Sequence, residues 1–165
     1  MAVKALDPRE YGFPTLCFVC QADNASGLRI PFRYDDESRT VHAEFTLGPE
    51  YSGAPNYVHG GIVGAILDEA MAWASIASAG RFAVMRETTT TFEHGVRVGV
   101  AHTVEAEVVT AGTIRLEASA LLVNKDGKRC ARARARMVIL SEEAAREAIG
   151  TVEGASTAFL RRRDT

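Results

Sequence analysis

Apolar positions take a strand-like spacing between about residues 28 and 47, crowd together over one stretch near residue 60, and alternate again to about residue 140. Pro, Gly and Cys are scattered through the first two dozen residues, which read as irregular. Leu28 to Tyr34 predicts a short strand. Val41 to Leu47 predicts a second, with Val41, Ala43, Phe45 and Leu47 on one face. After the turn-rich loop GPEYSGAPNY comes HGGIVGAILDEAMAWASIASAG, a helix from about residue 60 to 79 with Gly80 as its C-cap. It is apolar on nearly every face, which implies burial.

Beyond the helix the period drops to two and stays there. Phe82 to Phe92 contains the run Thr88 to Thr91, whose β-branched side chains suit a strand. His102–Thr110, Ile114–Asn124 and Lys128–Leu140 complete an antiparallel meander, with Asp126-Gly127 as a two-residue hairpin turn. Pairing outward from that turn sets Glu117 opposite Arg136 and Ser119 opposite Arg134. On the other face it sets Leu116, Ala118 and Ala120 against Met137, Ala135 and Ala133, small residues that would let a helix approach closely. Ser141 to Ile149 predicts a short helix capped by Ser141, with Glu142 and Glu143 in its first turn. One long apolar helix with about five or six antiparallel strands implies an α+β fold, a curved sheet wrapped around a central helix. Residues 1–26 form an irregular N-terminal segment in this reading, 27–149 the single domain and 150–165 a flexible tail.

Composition narrows the class. A net charge of −2 implies no pull toward nucleic acid. No run approaches the ~18 apolar residues of a membrane span, and MAVKALDPREYGF offers no signal-type apolar region. Three cysteines, an odd number, argue against a secreted disulfide scaffold, so a cytoplasmic location is expected.

Asp68 and Glu69 are the only charged residues between His59 and Arg81. Carboxylates within a buried helix are costly unless paired, hydrogen-bonded or functional. Gly60 and Gly61 leave unshielded backbone N–H groups at a helix start whose dipole favours negative charge. A donor for a developing oxyanion and a buried carboxylate on one helix are parts of an acyl-transfer or hydrolytic site. Eight residues along a helix span about 12 Å, too far for one helix to present both groups to one carbon. Two antiparallel copies related by a two-fold axis can do so, which predicts at least a dimer.

At VHGGIVGAILDEA, Val58 to Ala70, the chain resembles the hotdog-fold acyl-CoA thioesterases, in particular their phenylacetate-pathway-like branch. The similarity extends upstream to CFVCQADNASGL, Cys17 to Leu28, and downstream to TTTTFEHGVRVG. The resemblance implies Asp68 as catalytic carboxylate, Gly60 as oxyanion-hole amide and His59 as the histidine opening the helix. It implies an acyl-CoA substrate, no cofactor, and a homodimer or homotetramer. Substrate contacts are expected at Asn56, Gly61, Glu69, Met85 and Thr88. The chain departs from many relatives where Gly53 replaces Asn or Gln, Met85 replaces Ser or Thr, and His94-Gly95 replaces Arg-Pro.

Other readings stand beside these. Glu69 reads as a supporting or dimer-facing group, and His59 either bonds backbone at the turn or orients the loop or thioester. Cys17 and Cys20 have only Cys130 and four scattered histidines as further ligands, so no metal is expected. Arg132, Arg134 and Arg136 read as a charge-laced sheet face, with coenzyme A phosphates as the minority alternative. The acyl pocket is expected to be apolar, with Ile62, Ile66, Met71 and Trp73 in its wall, and to take a medium-chain or aryl group. The alternative function is acyl-CoA binding without hydrolysis; a dehydratase would need a catalytic His on a loop pattern that is not found.

Overall fold

Seven antiparallel strands form one sheet in the computed structural model, which describes residues 2–150 and Phe159. The elements are β1 (Val3–Ala5), β2 (Arg33–Asp35), β3 (Thr40–Phe45), α1 (Gly60–Ala77), β4 (Ala83–Phe92), β5 (His102–Ala111), β6 (Arg115–Asn124), β7 (Arg129–Ile139) and α2 (Glu142–Ile149). Spatial order is β1-β2-β3-β5-β6-β7-β4, so β1 and β4 are the edges. The helix α1 packs on β3 to β7, which curve around it. The α+β architecture and its central helix agree with the sequence reading.

Small residues make this approach possible. Ala118, Ala120, Ala133 and Ala135 of β6 and β7 are all buried, as are Ile66, Leu67 and Met71 of α1, which packs on those strands. Each large apolar side chain buried there stabilises by roughly 2 kcal/mol. The expected cross-strand pairs Leu116–Met137, Ala118–Ala135 and Glu117–Arg136 all form.

Four expectations change. β1 pairs with β2, so the N-terminal segment is not wholly irregular. The strand expected over Leu28–Tyr34 narrows to Arg33–Asp35, because Leu28 and Ile30 instead donate to the Phe18 and Val19 carbonyls at 2.7 and 2.8 Å. The hairpin turn has three residues, Lys125 to Gly127, with Gly127 at φ 76° and the Asn124 N–H donating to the Lys128 carbonyl at 3.0 Å. A bulge at Cys130 absorbs the extra residue and restores the register. Finally, α1 has 18 residues and a mean hydropathy of 1.2, long and apolar enough to cross a membrane; here half of it is buried by its own sheet.

The expected tail lies mostly outside the described residues. Phe159 is buried, its ring 5.6 Å from that of Tyr11 and 5.9 Å from that of Phe13.

Candidate active site

The loop before α1 is held from both sides. Val58 N–H donates to the Val96 carbonyl at 2.8 Å, and His59 N–H donates to the Tyr51 carbonyl at 2.9 Å. This fixes His59 as the helix N-cap. Its Nδ1 accepts from the Gly61 N–H at 2.9 Å, while its carbonyl accepts from Ile62 and Val63. Of the two roles open to His59, the geometry supplies the backbone bond at the turn. A Cβ on Gly61 would lie 3.1 Å from that Nδ1, a tight contact that glycine avoids. Gly53 has a related reason: a Cβ would lie 3.3 Å from the His59 backbone.

Capping leaves one donor over. Gly61 N–H is spent on His59, whereas Gly60 N–H has no acceptor among the described residues. It is exposed at the positive end of the helix dipole. That is the arrangement an oxyanion needs.

Further along α1, burial alternates with a helical period. Val63, Ile66, Leu67, Ala70 and Ala74 face the sheet, while Gly61 and Asp68 are exposed and Gly64 and Ala72 half-buried. The expectation of burial on nearly every face therefore fails along this stripe, whose one charged member is Asp68. Its side chain reaches solvent on one side and lines a cavity of about 470 Å³ on the other. Loss of water against that wall raises the Asp68 pKa above the usual carboxylate value, and the charge of Cys17 adds to the rise.

Glu69, Met85, Trp73, Phe82, Cys17 and Cys20 line the same cavity. Of the helix residues expected in its wall only Trp73 is there. Ile66 and Met71 point into the core because they fall on the sheet side of α1, and Ile62 is half-buried a turn before. Met85 lines the same cavity as Asp68 and has no hydroxyl to offer. Asn56 and Thr88 lie outside the cavity: the Asn56 carbonyl accepts from Val98 at 3.1 Å, and Thr88 is exposed on β4 opposite Ala135. One protomer thus keeps Gly60, Gly61, His59 and Asn56 at one place and Asp68, Glu69 and Met85 at another.

The sequence reading gave the cysteine pair no third partner; the fold supplies Glu69. Its Oε1 lies 3.4 Å from Cys17 Sγ. Burial pushes the Glu69 carboxyl up to about 8, with the Cys17 charge second. The Cys17 thiol is held low, chiefly by its hydrogen bond with Cys20. Only the Cys17–Glu69 contact, 52 residues apart in sequence, could have shown this, and no local signal carries it.

The arginine stripe lies on the outer sheet face as expected, over a second hollow of about 710 Å³. Arg136 pairs with Glu87 at 3.3 Å and Arg132 with Glu93 at 2.9 Å, so the face is charge-laced and its cations are largely spoken for.

Residues 55–131 match the model of the thioesterase superfamily. The fold is similar to that of a solved thioesterase superfamily protein, at 20% identity and a TM-score of 0.66, covering 70% of this chain. This chain spans 56% of that protein's length. It is similar to the Escherichia coli PaaI protein from the phenylacetic acid degradation operon, at 22% identity and a TM-score of 0.59, over 62% of this chain and 74% of that one. A Streptococcus mutans protein solved bound to acetyl CoA has 17% identity and a TM-score of 0.59, over 62% and 82% of the two chains. No curated protein matches the chain by sequence.

Proposed function

We propose that this chain, a hotdog-fold member of the thioesterase superfamily, hydrolyses acyl-CoA thioesters with Asp68 and Gly60 contributed by different protomers. One observation carries the reading: α1 bears both a free N–H at Gly60 and a solvent-reachable carboxylate with a raised pKa at Asp68. The Gly60 N–H would bind the oxyanion as it forms. Asp68 would activate water as general base, or attack the carbonyl as nucleophile.

The shared site has its own support. The two groups are about 12 Å apart along α1, at ~1.5 Å per residue. The exposed stripe of Gly61, Gly64, Asp68 and Ala72 would admit a second helix at close range. β4 is a ten-residue edge strand with Phe92 57% exposed, a surface suited to pairing with a second copy. A two-fold axis there would bring Gly60 of one protomer to Asp68 of the partner subunit. The active unit is then a homodimer, or a homotetramer of two such dimers. Coenzyme A recognition is carried over from the neighbour bound to acetyl CoA. The apolar wall of Trp73, Phe82 and Met137 suits a medium-chain or aryl acyl group. Three free thiols fit a reducing, cytoplasmic setting.

Met85 favours a second reading, acyl-CoA binding without hydrolysis, because it offers no hydroxyl to place a water. Free-thiol release from a panel of acyl-CoA thioesters separates the two. Hydrolysis that falls by ~10²-fold or more in Asp68→Asn supports the first. Saturable binding with no turnover on any thioester would leave the second.

A further inference from the structure

Three metal-ligating side chains meet in the cavity wall, and the charged groups acting on Glu69 there, Cys17 and Asp68, are both negative. Cys17 and Cys20 lie in one turn, closed by the Gln21 N–H donating to the Cys17 carbonyl at 3.3 Å. Glu69 arrives from α1, and one ligand atom from each of the three lies within 4.8 Å of the others. All three are half-buried.

The spacing fits a tetrahedral ion. With bonds of ~2.3 Å to sulfur and ~2.0 Å to oxygen, a sulfur and an oxygen ligand sit about 3.5 Å apart and two sulfurs about 3.8 Å. Cys17 Sγ and Glu69 Oε1 are 3.4 Å apart. We propose that Cys17, Cys20 and Glu69 bind one zinc-class divalent ion, its fourth coordination position open to the cavity beside Asp68.

The donor set selects the ion. Two thiolates are soft ligands that suit zinc, whereas magnesium and calcium take oxygen ligands in larger numbers. Binding displaces the protons that the thiols and Glu69 still hold and releases them to solvent. An ion of charge +2 also supplies a cation, where the charged groups acting on Glu69 among the described residues are both negative. Three protein ligands with one open position is the pattern of sites where an ion meets water or substrate. It would at the same time fasten the N-terminal segment to α1, over the cavity.

The assignment is independent of thioester hydrolysis, since ion binding is read with no substrate present. Full-length protein, stripped of metal and kept reduced, is titrated with Co²⁺. The expected result is one equivalent bound, with the intense visible bands of tetrahedral cobalt and a thiolate-to-cobalt charge-transfer band, both abolished by added zinc. Cys17→Ser and Cys20→Ser should remove the charge-transfer band. Glu69→Gln should weaken binding by at least the ~10–100-fold that losing an outer partner costs. Cys130→Ser should bind as the parent does. Circular dichroism checks that each variant folds, and zinc protection of Cys17 and Cys20 from alkylation, read by mass spectrometry, needs no variant at all. Folded, reduced parent protein with neither the cobalt band nor zinc protection overturns the proposal. Undiminished affinity in Glu69→Gln overturns the three-ligand assignment.

Discussion

Replacing Gly60 by proline removes a single hydrogen-bond donor from the proposed site and disturbs little else. A Cβ at position 60 would meet nothing nearer than the Phe92 ring at 3.9 Å, an ordinary contact. Proline is favoured at the first position of a helix, where its missing N–H would have no intrahelical partner. It demands an extended residue before it, and His59 already has φ −57° and ψ 134°. Restricting the unfolded chain at this position should raise stability by ~0.4–1 kcal/mol. Losing the N–H should cost ~2.7–4 kcal/mol of transition-state stabilisation, a fall of ~10²–10³ in kcat. Asp68→Asn provides the complementary lesion, at ~10²–10⁴.

Mixing the two inactive variants tests the shared site. With random exchange at equal concentration about half of the dimers are mixed, and each regains one of its two sites. The mixture should therefore recover about a quarter of the parent activity. Exchange is followed with differently tagged chains and activity by free-thiol release. A mixture no more active than its parts, with exchange complete, refutes the two-protomer site.

The raised Asp68 and the apolar cavity wall predict the substrate's polarity: kcat/KM should favour medium-chain or aryl acyl groups over succinyl and malonyl thioesters, and the reverse order would overturn the pocket assignment. His102 is buried, stacks on Phe45 at 6.0 Å and has a pKa held below its ordinary 6.5 by loss of water. The unfolded chain thus binds the extra proton first, so this contribution to stability is whole above about pH 6.5 and lost as pH falls toward the folded value. Urea midpoints measured across that range should fall with acid in the parent and less steeply in His102→Gln; equal slopes would exclude His102 as a source. Gly95→Ala should cost ~1–3 kcal/mol, because its Cβ would lie 2.4 Å from the Tyr57 ring and force that side chain off Arg97; an unchanged thermal midpoint would mean that the ring moves freely.

Periodicity made the sheet legible wherever one face is buried. The pairs of β6 and β7 followed from Asp126-Gly127 even though the turn is a residue longer, because the bulge at Cys130 returns the strand to the register its alanines need. Side-chain period is the stronger constraint, and the turn accommodates it. Leu28, Ile30 and Phe32 alternate as a strand does and are buried as one would be, yet two of the three backbones bond the Cys17–Cys20 turn rather than the sheet. Alternation reports which side chains avoid water and is silent about the partner.

The same logic separates the two halves of the candidate site. Gly60 is visible locally, since a helix start and a cap are both short-range features. The Cys17–Cys20–Glu69 cluster was not, because its third member lies 52 residues from the first and reads, on its own helix, as a supporting or dimer-facing acid. Asp68 falls between these cases. Its stripe is built of small residues that pattern as core, yet within one protomer the sheet leaves them uncovered. A hydrophobic period is satisfied equally by the protein's own sheet or by a second copy. A charge set in that stripe is satisfied by neither unless it meets solvent or a ligand, which is why the one carboxylate there is the residue on which function is best tested.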